Sequence, residues 1–358
     1  MRAMAEPNVT LSLLGRPARY PAGLRNLGPG VHAWLQPNGE LGESNAGLLV
    51  GNGESLVIDT LWDTRLTRRM LDAMRPHTAE APIRRLVNTH GDPDHWWGNQ
   101  LLSGSEIIAT RAGAEDMLGE DPGRLRLMSR AGQVLGHLGG RPLRLPGVSQ
   151  LAGLGAYGRM LAPYDFSGMT PTRPTVTFDR KLGLDVGGRR VELIEVGPAH
   201  TPGDLIVHVP DAKVVFAADL MFVGVTPIIW VGPVENWLAG LDQIAALEPT
   251  TVVPGHGPVT DLEGVRAMRA YWEFIARAVR DRLGAGMDPA AATRDVLRSP
   301  EFTGHPFAGW DAPERLAVNA EIIARNRRGL FGRVSDAARL KLIARMGELA
   351  LELRASAL

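Results

Sequence analysis

Asn88-Thr89-His90-Gly91-Asp92-Pro93-Asp94-His95 places four potential metal ligands within six residues, directly after the apolar end of Arg84-Arg85-Leu86-Val87. The run 84–87 reads as the end of a buried strand, and Gly91 and Pro93 prevent the next residues from continuing as sheet or helix, which puts the ligands on a loop. In extended backbone, residues i and i+2 share a side, so His90 and Asp92 can converge on one ion. Pro93 keeps Asp92 out of helical geometry and so aligned with His90. Asp94 and His95 are adjacent and must diverge, which suits a second ion or the other side of a shared site. Two metals fit this layout better than one.

A loop rich in Asp and His is by itself an ordinary surface feature, but three later segments follow the same plan. Gly197-Pro198-Ala199-His200-Thr201-Pro202-Gly203 follows the strand-like run 191–196, Asp219 ends the apolar run 214–218, and Pro254-Gly255-His256-Gly257 follows 251–253. Each time a buried strand delivers one nitrogen or oxygen ligand at its end.

With these residues the chain resembles the metallo-β-lactamase superfamily, whose signature is His-x-His-x-Asp-His followed by a distant His, an Asp and a last His. The matching positions are His90, Asp94, His95, His200, Asp219 and His256, while Asp92 stands where the family usually has its second histidine. The resemblance covers residues 31–282, about seven-tenths of the chain. It implies an α+β four-layer αβ/βα sandwich of two mixed sheets, with the ligands on loops along one sheet edge. It also implies a metal-dependent hydrolase holding two divalent ions. On that reading His90, Asp92 and His200 serve the first ion, Asp94, His95 and His256 the second, and Asp219 bridges them. Asp94 is then placed to orient the attacking water and pass on its proton, and Asp59 to hydrogen-bond the metal loop.

Such ions make a nucleophile from water at neutral pH and polarise the oxygen it attacks, so ester, thioester, lactone and related bonds come within reach. Zinc is the first expectation. Asp92 hardens its site and so admits manganese or iron. It also leaves two divalent ions and three carboxylates at about +1, one unit less than with histidine, so a single-metal enzyme fits as well. Two histidines and a carboxylate also have the composition of a non-haem iron triad, which makes an oxygenase the alternative enzyme. A non-enzymatic metal-binding protein is the alternative from another class.

The rest of the chain narrows the partners. With 44% hydrophobic and 22% charged residues in 358, it is ordinary for a soluble globular protein with a large core. A formal net charge of +0 gives no overall pull toward nucleic acid or a membrane surface. The absence of cysteine removes disulfides, thiolate ligands and a thiol nucleophile together. Residues 1–26 lack the apolar core of a signal peptide and no run is long enough to cross a bilayer, so a cytoplasmic location is expected.

Residues 1–288 are expected to form the metal-binding domain, with 289–358 as a C-terminal helical extension. Within the domain, 111–174 is long for a connection. It carries helical spacing at Leu125, Met128, Val134 and Leu138, then an aromatic and Met-rich stretch, and reads as a cap over the site. Such a cap favours a small-molecule substrate with an apolar portion. Leu340, Ile343, Met346, Ala350 and Leu353 share one face of the last helix, which could dock on the domain or make a homodimer.

Overall fold

The computed structural model describes residues 20–36, 43–138 and 148–356, without the side chains of 131–149, Arg159 and Ser356. The expectations for Val134, Leu138 and the N-terminal residues 1–19 lie outside the described residues or side chains.

Two sheets form the centre. The first runs in spatial order β1 (Gly23–Gly28), β2 (Val31–Leu35), β3 (Ala46–Val50), β4 (Ser55–Ile58), β5 (Ile83–Val87), β6 (Glu106–Thr110) and β7 (Val176–Phe178). It is antiparallel through β4 and parallel from β4 to β7. The second contains β8 (Lys181–Val186), β9 (Arg189–Glu195), β10 (Leu205–Val209), β11 (Val214–Phe222) and β12 (Thr251–His256), antiparallel except for the parallel β11/β12 pair. Although β7 follows the long connection 111–174, it closes the first sheet beside β6.

Side-chain alternation builds the layers. Leu49, Leu56, Ile58 and Val87 point from the first sheet toward Leu193, Leu205, Val207 and Phe216 of the second, forming the inner core. Their neighbours Leu48, Val57 and Leu86 face outward onto Met70 and Met74 of α1 (Thr64–Thr78). On the far side, Ile206, Val215 and Val252 pack against Trp237 and Ile244 of α5 (Val234–Ala246) and Met268 and Trp272 of α6 (Leu262–Gly284). The result is the four-layer sandwich.

The long connection supplies α2 (Arg111–Asp116), α3 (Pro122–Leu138) and α4 (Val148–Met160). After α6 come α7 (Pro289–Arg298), the short α8 (Pro300–Thr303), α9 (Leu316–Arg327) and α10 (Asp336–Ser356). Val296, Leu316, Ile323, Leu342 and Met346 belong to the same apolar cluster as Trp237 and Trp272, so the C-terminal helices share that core. The buried apolar side chains of α10 are Leu342, Ala344, Met346, Leu349 and Ala350, which is broader than the single stripe expected from spacing, and Leu340 stays exposed. Where α10 crosses α4, a Cβ on Gly153 would stand 2.5 Å from the Ala344 carbonyl oxygen and one on Gly347 would stand 2.3 Å from the Gly153 carbonyl oxygen. The crossing is close because both residues lack side chains.

Candidate metal centre

The four segments meet at one edge of the sandwich. Three groups of side chains each bring their ligand atoms within 4.8 Å of one another: His90, Asp92 and His200; His90, His95 and Asp219; and Asp94, His95 and His256. All seven residues singled out in the sequence are therefore together. Asp219 is central, with Oδ2 3.3 Å from Nε2 of both His200 and His256 and 4.0 Å from that of His90, and Oδ1 3.2 Å from His95 Nε2. Asp94 Oδ2 stands 3.6 Å from His256 Nε2 and 3.7 Å from His95 Nε2.

The backbone departs from the expected plan in two places. Pro93–His95 form a 3₁₀ turn, where Gly91 and Pro93 were read as excluding helix. Pro fits the first position of such a turn because its missing N–H would be unpaired there anyway. Asp92 itself is extended (φ −70°, ψ 136°), as expected. The second departure is at Asp219, which does not end a strand: β11 continues to Phe222, and its register with β12 shifts on both sides of Ala218, whose φ is +46°. Such a bulge re-aims a side chain toward a site. Gly255 makes room for it, since a Cβ there would lie 1.9 Å from Asp219 Oδ1.

A surrounding shell sets the imidazoles. Asp59 Oδ2 accepts from Thr89 Oγ1 at 2.6 Å and pairs with His95 Nδ1 at 2.9 Å, while its Oδ1 accepts from the Thr89 amide at 2.8 Å. Asp59 therefore braces the metal loop, as the resemblance implied, while Asp63 caps α1. His90 Nδ1 lies 3.0 Å from Thr89 Oγ1, and His200 Nδ1 donates to the Ile228 carbonyl at 2.7 Å. Fixing Nδ1 in this way turns Nε2 into the cluster. Asp204 clasps the His200 loop through the amides of Ala199 and Thr201.

Nε2 of His90 and His95 and Oδ1 of Asp219 are buried and make no hydrogen bond. Buried polar atoms left in this state and aimed at one point are what a cation would satisfy, so the donor set fits a metal. Burial works to lower the pKa of His95, yet Asp219 and Asp94 hold it well above the usual imidazole value. His200 is likewise raised to about 9 against the effect of burial, by its hydrogen bond to Asp92 and by the charge of Asp219. Burial raises Asp94.

Several contributors were not legible from spacing. Asn45 donates through Nδ2 to the carbonyls of Pro254 and Gly257, and Ser44 donates to the Asp94 carbonyl at 2.6 Å, so the two residues just before β3 tie the first motif to the last. Arg339 of α10 reaches Asp92 Oδ1 at 3.0 Å and Glu120 at 2.7 Å. Arg333 reaches Asp116 at 2.9 Å and Glu120 at 2.6 Å. A paired Asn with a β-strand, or a lone Arg on an amphipathic helix, carries no sequence pattern that marks it.

The cluster forms the floor of a cavity of about 420 Å³. Its walls come from Trp62, from Leu125 and Met128 of α3, from Leu161 after α4, and from Ile343 and Met346 of α10. The segment after Asp219 contributes as well: Phe222, Ile228 and Trp230 line the cavity, and Phe222 stacks on His256 with ring centroids 5.0 Å apart.

A family profile described as the metallo-beta-lactamase superfamily matches residues 39–256, more than half of the sequence, and the chain belongs to this superfamily. Among curated proteins it is 23% identical over 243 residues to the 2,4-dinitroanisole O-demethylase subunit alpha of Nocardioides sp. strain JS1661, covering 66% of this chain and 60% of that protein. It is 24% identical over 270 residues to the linear primary-alkylsulfatase of Pseudomonas sp. strain ATCC 19151, covering 70% and 49%. The chain thus spans between about half and three-fifths of the length of these relatives. A solved structure of the inverting sec-alkylsulfatase Pisa1 from Pseudomonas sp. superposes with a TM-score of 0.62 at 18% identity, covering 87% of this chain and 51% of that one. The superfamily is one of metallohydrolases by class. Among the described residues, no helix is long and apolar enough to cross a membrane.

Proposed function

We propose that the protein hydrolyses an ester, thioester, lactone or related bond of a small molecule with an apolar portion. The observation that carries this reading is the position of the ligand cluster at the floor of a largely apolar cavity. Zinc, or manganese or iron beside Asp92, would be held by His90, Asp92 and His200 on one side and Asp94, His95 and His256 on the other, with Asp219 between them. Divalent cations in such a set supply Lewis acidity and water activated at neutral pH. Asp94, facing the cavity, would orient that water and carry its proton.

Arg315 adds a preference within this class. It is buried, its polar partner among the described residues is the Thr226 carbonyl at 3.0 Å, and it lines the same cavity. A guanidinium so placed suits an anionic group on the substrate. The alkylsulfatase relative supports sulfate esters as one candidate class.

The test is a chain-length series of acyl esters, lactones and alkyl sulfates. Each methylene buried in the cavity contributes about 0.8 kcal/mol, so kcat/KM should climb a few-fold per carbon until the cavity is filled. A preference for small, multiply charged phosphates would overturn the reading. The grouping of His90, His200 and Asp92 also suits non-haem iron. Iron content together with substrate-dependent oxygen uptake would identify that second reading.

A further inference from the structure

We propose that Arg339 is a positioning residue of the metal centre, supplied by the C-terminal helix to offset the aspartate at position 92. The inference rests on Asp92 facing a metal, as proposed above. One oxygen of Asp92 lies 3.1 Å from His200 Nε2, and the other lies 3.0 Å from Arg339 Nη2. The carboxylate is thus divided between the cluster and the guanidinium.

Arg339 is held from three sides. Nη1 bonds Glu120 at 2.7 Å, Nη2 bonds Asp92, and the guanidinium carbon sits 4.5 Å from the centre of the Trp230 ring. Glu120 also holds Arg333, which in turn holds Asp116, the residue packed against Gly91. The clamp therefore runs from α10 through the segment between α2 and α3 to the metal loop. Arg339 and Arg333 both lie beyond residues 39–256, outside the stretch the family profile matches.

The clamp also bears on the charge of the site. Two divalent ions with Asp92, Asp94 and Asp219 come to about +1, one unit less than a histidine at position 92 would leave, and the Arg339 guanidinium, which Asp92 shares with Glu120, sits directly on the outer Asp92 oxygen and offsets that carboxylate. Asp92 with Arg339 is then a carboxylate ligand whose charge is balanced from behind, as outer partners commonly tune ligands. Without Arg339 the site would carry a fully anionic oxygen ligand and favour harder cations.

The experiment is competitive loading of the metal-stripped full chain with zinc and manganese, read by elemental analysis, for the parent, Arg339→Lys, Arg339→Gln and Asp92→His with and without Arg339→Gln. Arg339→Lys should keep the parental zinc-to-manganese ratio, and Arg339→Gln should lower it by about 10–100-fold. Asp92→His alone should lose metal, because the guanidinium then faces a cation with no carboxylate between them, and adding Arg339→Gln should restore loading. An unchanged ratio in Arg339→Gln, or additive effects in the double variant, would overturn the proposal. A parent that binds no metal at all would instead overturn the functional reading on which it rests.

Discussion

Arg339 Nη2 lies 3.0 Å from Asp92 Oδ1, joining the last helix of the chain to the first metal-binding motif 247 residues earlier. Glu120 accepts from both Arg339 and Arg333 and so anchors this link. Glu120→Gln should destabilise the fold by about 1–3 kcal/mol, the cost of leaving a partly buried charged hydrogen bond unmade. Chemical denaturation of parent and variant checks this, and equal midpoints would show that the clamp does not contribute to stability.

Asp219 touches every histidine of the cluster, so Asp219→Ala should abolish turnover and lower metal content while circular dichroism still reports the fold. His200→Ala should behave alike. Unchanged turnover in either variant would mean that the ligand set is wrong.

Gly255→Ala tests the same centre without removing a ligand. The added Cβ would stand 1.9 Å from Asp219 Oδ1, and both atoms cannot stay. Metal affinity should fall by about tenfold or more, as when a ligand loses its orientation. Parental metal binding in Gly255→Ala would show that Asp219 has another place to go.

The protonation of the metal-stripped cluster predicts a pH dependence. His95 is held well above the usual imidazole value and His200 is raised to about 9, so both rings carry protons in neutral solution. The His200 ion pairs stabilise the metal-stripped fold below about pH 6.5, the ordinary imidazole value, and this contribution is lost as pH climbs through the folded value near 9; those of His95, whose folded value is also raised, are lost in the same direction. A metal must displace those protons, so its apparent affinity should strengthen over the same window. Calorimetric titration in buffers of different ionisation enthalpy measures the protons released on binding. Metal uptake with no proton release would contradict the assignment of both imidazoles.

Cavity shape should set substrate length. Ile343 of α10 is half-buried in the cavity wall, so Ile343→Phe should depress kcat/KM for the longer members of an acyl or alkyl series while sparing the shorter ones. Equal loss across the series would place the change outside the substrate path.

The sandwich, and the meeting of the seven His and Asp side chains at one edge, were legible because most of them follow a short apolar run that reads as a buried strand, as with 191–196 before His200. The bulge at Ala218 was not, because a register shift depends on how β11 meets β12 rather than on either sequence alone. The role of α10 was hidden for a related reason. Its arginines alternate with apolar residues as on any solvated helix, and only tertiary packing turns Arg339 inward to Asp92. Leu340, read as part of a buried stripe, is exposed for the same reason: the helix is covered by α4 and α9 on faces that spacing does not identify.

The most direct test of the metal centre is metal stoichiometry in the purified full chain, measured by elemental analysis after reconstitution and dialysis. The account predicts about two first-row ions per chain in the parent and about one in Asp92→Ala, because two sets of nitrogen and oxygen ligands share Asp219. A parent that retains no metal after exposure to zinc, manganese and iron in turn would contradict it.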